Sequence, residues 1–220
     1  PNRLDLNAIE TVFNEDSVDL DFRVESNGNT HMLFVDAANN GVAIGHNDPQ
    51  DILHLQTRDA GSQIRIQRHE ADEALGDGDE IGAVEFWAND SSSFSGASTL
   101  RAAIRAEVQN TSLGTRLEFY TGNSNSAAEE RMRIIADGTV LIGKTASGIN
   151  AVGHELQTAG TAWHTKASGN PLALSRKTND GSILEFYRDS TLVGGIGAVG
   201  GNVSYNGGAV FNEDSADVDF

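Results

Sequence analysis

Few residues in this sequence have types and spacing that could do chemistry. The acidic run Glu15-Asp16-Ser17-Val18-Asp19-Leu20-Asp21 crowds several carboxylates together, which is the donor set calcium uses. Asp16, Asp19 and Asp21 are its candidate metal ligands. The run lacks the glycine and the closing glutamate of an EF-hand loop. It also recurs as Glu213-Asp214-Ser215-Ala216-Asp217-Val218-Asp219, and recurrence favours a structural role over a unique site. Gly76-Asp77-Gly78-Asp79-Glu80 is a second, looser cation candidate whose composition favours an exposed loop.

Other motifs fare no better. Gly195-Ile196-Gly197-Ala198-Val199-Gly200 matches the dinucleotide pattern G-x-G-x-x-G, which needs a strand before it and a helix after it. The turn-rich residues that follow, Gly201-Asn202-Val203-Ser204, favour glycine-spaced short strands instead. The histidines are His31, His46, His54, His69, His154 and His164. None is spaced as a helical zinc pair, and His154-Glu155 opens no H-E-x-x-H motif, so they read as exposed or satisfied residues. There is no G-x-S-x-G elbow and no cysteine, so neither a serine hydrolase nor a thiolate site is indicated. With 32 acidic residues, carboxylate pairs are inevitable, but the separation that decides glycosidase chemistry is not written in a sequence. Trp87 and Trp163 could stack on sugar rings, yet Trp87 occupies the slot that Tyr187 fills 100 residues later, which favours packing. The sequence therefore assigns no catalytic, cofactor or metal residue.

The elements that would position such residues are short strands. The 220-residue chain carries 24 glycines, 3 prolines and 6% aromatic residues. Many turns and few large core residues point to an extended or repetitive β architecture. The net charge of −17 argues against nucleic acid and anionic membranes as partners. No apolar run reaches the length of a membrane helix, so membrane insertion is not expected.

The chain repeats itself. Residues 11–22, TVFNEDSVDLDF, match residues 209–220, AVFNEDSADVDF, at nine of twelve positions. Val42-Ala43-Ile44-Gly45 returns as Val140-Leu141-Ile142-Gly143. Leu55-Gln56-Thr57 returns as Leu156-Gln157-Thr158, and Val84-Glu85-Phe86-Trp87 as Leu184-Glu185-Phe186-Tyr187. Ile64-Arg65-Ile66 has a looser echo in Leu172-Ala173-Leu174, and Leu20-Asp21-Phe22 pairs with Leu117-Glu118-Phe119. The five internal matches keep one order at spacings near 100 residues, and the spacing of 198 between the two ends is two such periods, the mark of a tandem repeat. The expected organisation is a leading segment over 1–10, one repeat over 11–110, a second over 111–208 and the opening of a third over 209–220. The chain is read as an excerpt that continues.

Within each unit the period is two. Asp137-Gly138 between Arg131-Met132-Arg133-Ile134 and Val140-Leu141-Ile142 is the strongest hairpin signal. Asn27-Gly28-Asn29 predicts a second hairpin, and Ala38-Asn39-Asn40-Gly41 a third. Residues 126–131 could form one or two helical turns with Ser126 as N-cap and Glu129 at the capping-box position. Residues 97–109 read comparably as helix or strand. A 100-residue unit with so thin a core needs neighbouring copies, either along the chain or around a symmetry axis.

Leu117-Glu118-Phe119-Tyr120, Arg131-Met132-Arg133-Ile134, Asp137-Gly138-Thr139-Val140-Leu141-Ile142-Gly143 and Leu156-Gln157-Thr158 together resemble the repetitive shaft of tailed-bacteriophage tail fibres. The resemblance covers most of the chain and rests on turn and strand signatures. It implies an all-β, elongated fibre of short strands and hairpins, with little helix. It implies an intertwined homotrimer, with a β-prism or β-helix-like shaft, carried extracellularly on a virion. Its partners would be itself, other virion tail proteins, and a host surface glycan or protein bound through a part outside this segment. The family often ends in a self-cleaving chaperone domain, and this sequence shows none. The function expected is structural, projection of a host-recognition tip, with no enzyme activity and no cofactor. The alternatives are a fibre-borne glycan depolymerase and a bacterial surface adhesin or extracellular filament subunit.

Overall fold

A computed structural model describes residues 4–6, 11–13, 19–57, 61–70, 74–89, 98–110, 112–123 and 126–207. Asp16, the acidic recurrence at 213–219 and the expected third repeat over 209–220 lie outside the described residues. The architecture is all-β, without a helix among the described residues. The chain divides into two compact units, Pro1–Ile66 and Gln67–Phe220.

The first unit holds a two-stranded ribbon of β1 (Leu4–Leu6) and β2 (Thr11–Phe13). Its four-stranded sheet runs in sequence order through β3 (Phe22–Val24), β4 (Leu33–Asp36), β5 (Gly41–Ile44) and β6 (Leu53–Leu55). The two hairpins anticipated around Asn27-Gly28-Asn29 and Ala38-Asn39-Asn40-Gly41 are present as β3–β4 and β4–β5. In the second, the Asp36 carboxylate accepts the Asn39 backbone N–H at 2.9 Å and side-chain amide at 2.9 Å. These Asn39 hydrogen bonds hold the Asp36 carboxyl below its usual range. Asn40 sits at φ 55°, a conformation asparagine tolerates. β6 then pairs parallel with β5, Ile44 opposite Leu55.

The second unit carries a seven-stranded antiparallel meander. Its strands are β7 (Glu80–Asn89), β8 (Ser98–Val108), β9 (Thr115–Gly122), β10 (Ala128–Ile134), β11 (Val140–Ile142), β12 (Gly153–Leu156) and β13 (Ala162–Thr165). A three-stranded sheet follows, built from β14 (Gly181–Arg188), β15 (Thr191–Val199) and β16 (Asn202–Asn206).

One sequence expectation gives way here, and one open choice is decided. Residues 126–131 are not helical: β10 takes them from Ala128 onward, paired with β9, and the Arg131 carbonyl accepts from Gly143 where β11 joins the other side. One or two isolated turns of helix cannot compete with a hydrogen-bonded ladder that continues into the sheet. Residues 98–108 resolve as strand, and the alternation of Ile104, Ala106 and Val108 is that of β8. The Asp137-Gly138 turn joins β10 to β11 as expected. Gly138 adopts φ 86°, and the Asp137 carboxylate accepts the Thr139 N–H at 2.8 Å.

The matched tetrapeptides of the repeat close similar hairpins. Gly45 N–H donates to the His31 carbonyl and Gly143 N–H to the Arg131 carbonyl, each at 2.9 Å. Both glycines have positive φ, 95° and 68°. The strand that follows differs: β6 runs parallel to β5, whereas β12 runs antiparallel to β11. That difference shows at the glycines. A Cβ on Gly45 would drive into the Gln56 carbonyl oxygen, while one on Gly143 would meet open space. Gly143→Ala should therefore cost only its backbone strain, about 1–2 kcal/mol. Gly45→Ala should cost more and should free the Gln56 amide that donates to Ile44 at 2.9 Å. Hydrogen exchange at Gln56 and around Gly143 measures both, and equal acceleration would refute the distinction.

Candidate functional site

Register places the seven-stranded sheet's residues in rows, and directly opposed residues share a face. One row reads Val84, Ile104, Phe119, Met132, Ile142, His154 and His164 across β7 to β13. The next row on that face reads Gly82, Ala106, Leu117, Ile134, Val140, Leu156 and Ala162. This face is almost wholly apolar, and it is uncovered: Val84 is 48% exposed and Phe86 55%. Among the described residues of the second unit, the strands pack chiefly against others of their own sheet.

The row between them belongs to the opposite face. It reads Ala83, Arg105, Glu118, Arg133, Leu141, Glu155 and Trp163. Most of the sheet's buried residues are here, with Glu118 at 1% exposure and Leu141 and Glu155 at 0%, while Val108 is buried at the end of β8 on the apolar face. Long charged side chains cover one another by pairing across strands. Glu118 lies between Arg116, at 2.8 Å, and Arg133, at 3.1 Å. Arg116 also binds Asp77 at 3.0 Å and pairs with Glu107, and Arg133 pairs with Glu130. The Tyr120 hydroxyl donates to Glu118 at 2.6 Å, and the Arg105 guanidinium lies 5.1 Å from the Tyr120 ring centre. Burial, then the bond to the Glu118 carboxylate, pushes the Tyr120 phenol up to about 12.

A second cluster fastens the loop between β11 and β12. Glu155 accepts from Lys144 Nζ at 2.8 Å, Ser147 Oγ at 2.6 Å, the Gly148 N–H at 2.9 Å and the Gln157 amide at 2.9 Å. Lys144 also donates to the Gly148 carbonyl at 2.8 Å. Burial by itself would raise the Glu155 carboxyl. The four donors outweigh it and bring it down to about 2.

The candidates named from sequence are dispersed. Asp19 and Asp21 are exposed, and Asp21 accepts the Ala37 N–H at 3.1 Å. In the Gly76–Glu80 loop, Asp79 receives the Gly76 N–H at 2.7 Å and Arg68 at 3.3 Å, while Asp77 binds Arg116. No three metal-ligating side chains converge among the described residues. The G-x-G-x-x-G motif lies in β15 and the turn to β16, with no helix after it. A Cβ at Gly195 would stand 2.7 Å from the Leu184 carbonyl oxygen, so close strand approach accounts for that glycine. Trp87 and Tyr187 are both exposed, and each donates to the glutamate two residues before it, Glu85 at 2.8 Å and Glu185 at 2.7 Å. Trp163 sits on the charged row.

Sequence reasoning missed the charge lattice and the Lys144–Glu155 cluster. Their signal is the alternation of Arg and Glu with apolar residues along β9 and β10, which places like chemistry on one face. A scan against protein-family models and a search of curated proteins found no match to this chain.

Because the Glu155 carboxyl titrates near 2 when folded, against 4.5 ordinarily, the folded protein binds fewer protons than the unfolded one between those values. The stability it lends is present above the ordinary carboxylate range and is lost as pH falls toward 2. Thermal melts of wild type and Glu155→Gln should differ most at neutral pH and converge as the pH falls from about 5 to 2. A gap that does not narrow over that range would refute the assignment.

Proposed function

We propose that this chain is a segment of a fibre shaft of a phage virion that assembles with two further copies of itself. The observation that carries the reading is the uncovered apolar face of the β7–β13 sheet. A single-layer sheet with one apolar face needs a cover, and each of its larger side chains would gain roughly 1.5–3 kcal/mol on full burial. Copies of the same chain offer an equally apolar face, and closed symmetry covers all of them together. The four-stranded sheet follows the same rule: Phe22, Val35 and Leu53 stand exposed in one row, while Phe34 and Ala43 are buried in the next.

Two further segments support an assembly of copies. Residues 64–66 and 172–174, which echo one another in sequence, form no strand within the chain. Their alternating side chains Ile64, Ile66, Leu172 and Leu174 are all exposed. They make no backbone hydrogen bond to a described residue, so their polar backbone is open to a neighbouring copy. The shaft role itself, projecting a host-recognition tip on the virion, follows from the resemblance of the repeat to tail-fibre shafts.

Sedimentation or native mass measurement tests the assembly. The expected particle has three times the 23.3 kDa chain mass. Ile104→Asp combined with Leu117→Asp, which charges the centre of the apolar face, should shift that mass toward one chain. A compact wild-type monomer at every concentration would overturn the proposal.

A further inference from the structure

We propose that His154 and His164 form a two-imidazole site for a divalent transition-metal ion, copper(II) or nickel(II) in preference to zinc. The two residues are directly opposed on β12 and β13, at the edge of the seven-stranded sheet. Their Nδ1 atoms share a hydrogen bond of 2.8 Å, one ring donating and the other accepting, with ring centres 5.0 Å apart and planes inclined by 61°; a bound ion takes the place of that shared proton, which leaves to solvent. His154 is exposed and His164 half-buried, so an ion and its waters can reach both.

The separation selects the geometry. Two nitrogens about 2.0–2.1 Å from one ion lie roughly 2.9 Å apart when they subtend a right angle, and roughly 3.3 Å apart at the tetrahedral angle. The observed spacing is that of neighbouring positions in a square-planar or octahedral shell, which copper(II) and nickel(II) favour. No third metal-ligating side chain joins the pair among the described residues, so water completes the shell. The backbone holds the geometry in advance: Gly153 to Leu156 pairs with Thr165 to Ala162, and Thr165 Oγ1 donates to the Ile149 carbonyl at 2.7 Å.

A comparison within the molecule sharpens the assignment. His46 and His54 also stack, with ring centres 4.0 Å apart. Their Nδ1 atoms are taken, however, by the backbone N–H groups of Asp48 at 3.2 Å and Gln50 at 3.3 Å. Those nitrogens close loops, whereas the pair on β12 and β13 turns the same atoms toward each other. The site is built from one chain's residues and lies at the β13 end of the apolar face, so where the copies assemble as proposed it stands at the rim of their contact.

Calorimetric titration of the full chain with copper(II) or nickel(II) tests the site, with electron paramagnetic resonance of the copper form counting the bound nitrogens. One ion per chain is expected at this site, with two imidazole nitrogens in its spectrum. Affinity should fall at least tenfold in His154→Gln and in His164→Gln, and should hold in the paired control His46→Gln/His54→Gln. Circular dichroism checks that each variant keeps its sheet content. Binding unchanged in both His154→Gln and His164→Gln, or lost only in the control, would overturn the proposal, as would a wild-type chain that takes up neither ion.

Discussion

The second unit depends on one arrangement: a seven-stranded sheet one layer thick whose buried face is charged and whose apolar face is open. An ordinary antiparallel sheet turns its apolar face to a core and its polar face to water. Here Leu141 and Ala103 are buried among ion pairs, while Val84, Phe86, Ile104 and Ile142 meet solvent. A layer built this way cannot complete its own core, because the hydrophobic gain is available only from apolar area removed from water.

The charged face supplies what the open face cannot, which is register. A one-residue slip of β10 against β9 would move Arg133 away from Glu118 and turn it to the apolar side. Buried ion pairs contribute little net stability, because desolvation opposes their attraction, but a displaced partner leaves an uncompensated charge. The Lys144–Glu155 pair acts similarly on the β11–β12 loop, whose backbone is drawn around one carboxylate. The sheet is thus held in one alignment from one side, with its other side ordered as a flat apolar surface.

The same logic organises the small features. Glycines mark places where another backbone comes close, as Gly195 does against Leu184 and Gly45 against Gln56. Glutamates two residues before an aromatic capture its polar end, as Glu85, Glu118 and Glu185 do for Trp87, Tyr120 and Tyr187. A residue motif that looks chemical in sequence is in these cases a strand-packing device.

The all-β class, the hairpins at Asn27-Gly28-Asn29 and Asp137-Gly138, and the reading of the glycine motif as strand were legible in the sequence, because turn chemistry and period-two alternation act over a few residues. The local preference of residues 126–131 misled, since a helical signal of that length is weaker than a ladder continuous with the rest of the sheet. The paired histidines were invisible: His154 and His164 lie ten residues apart in sequence, and only the β12–β13 register sets them opposite each other. The charge lattice was equally hidden, because Asp77, Glu107, Arg116, Glu118 and Arg133 come from a loop and three strands. Alternation in a single strand says that two faces differ, not which one is buried. Val42-Ala43-Ile44 and Val140-Leu141-Ile142 each bury their middle residue, a choice made by what the neighbouring strands place beside it. Sequence determined the elements because their causes are local; tertiary structure decided the faces because burial is a property of several strands at once.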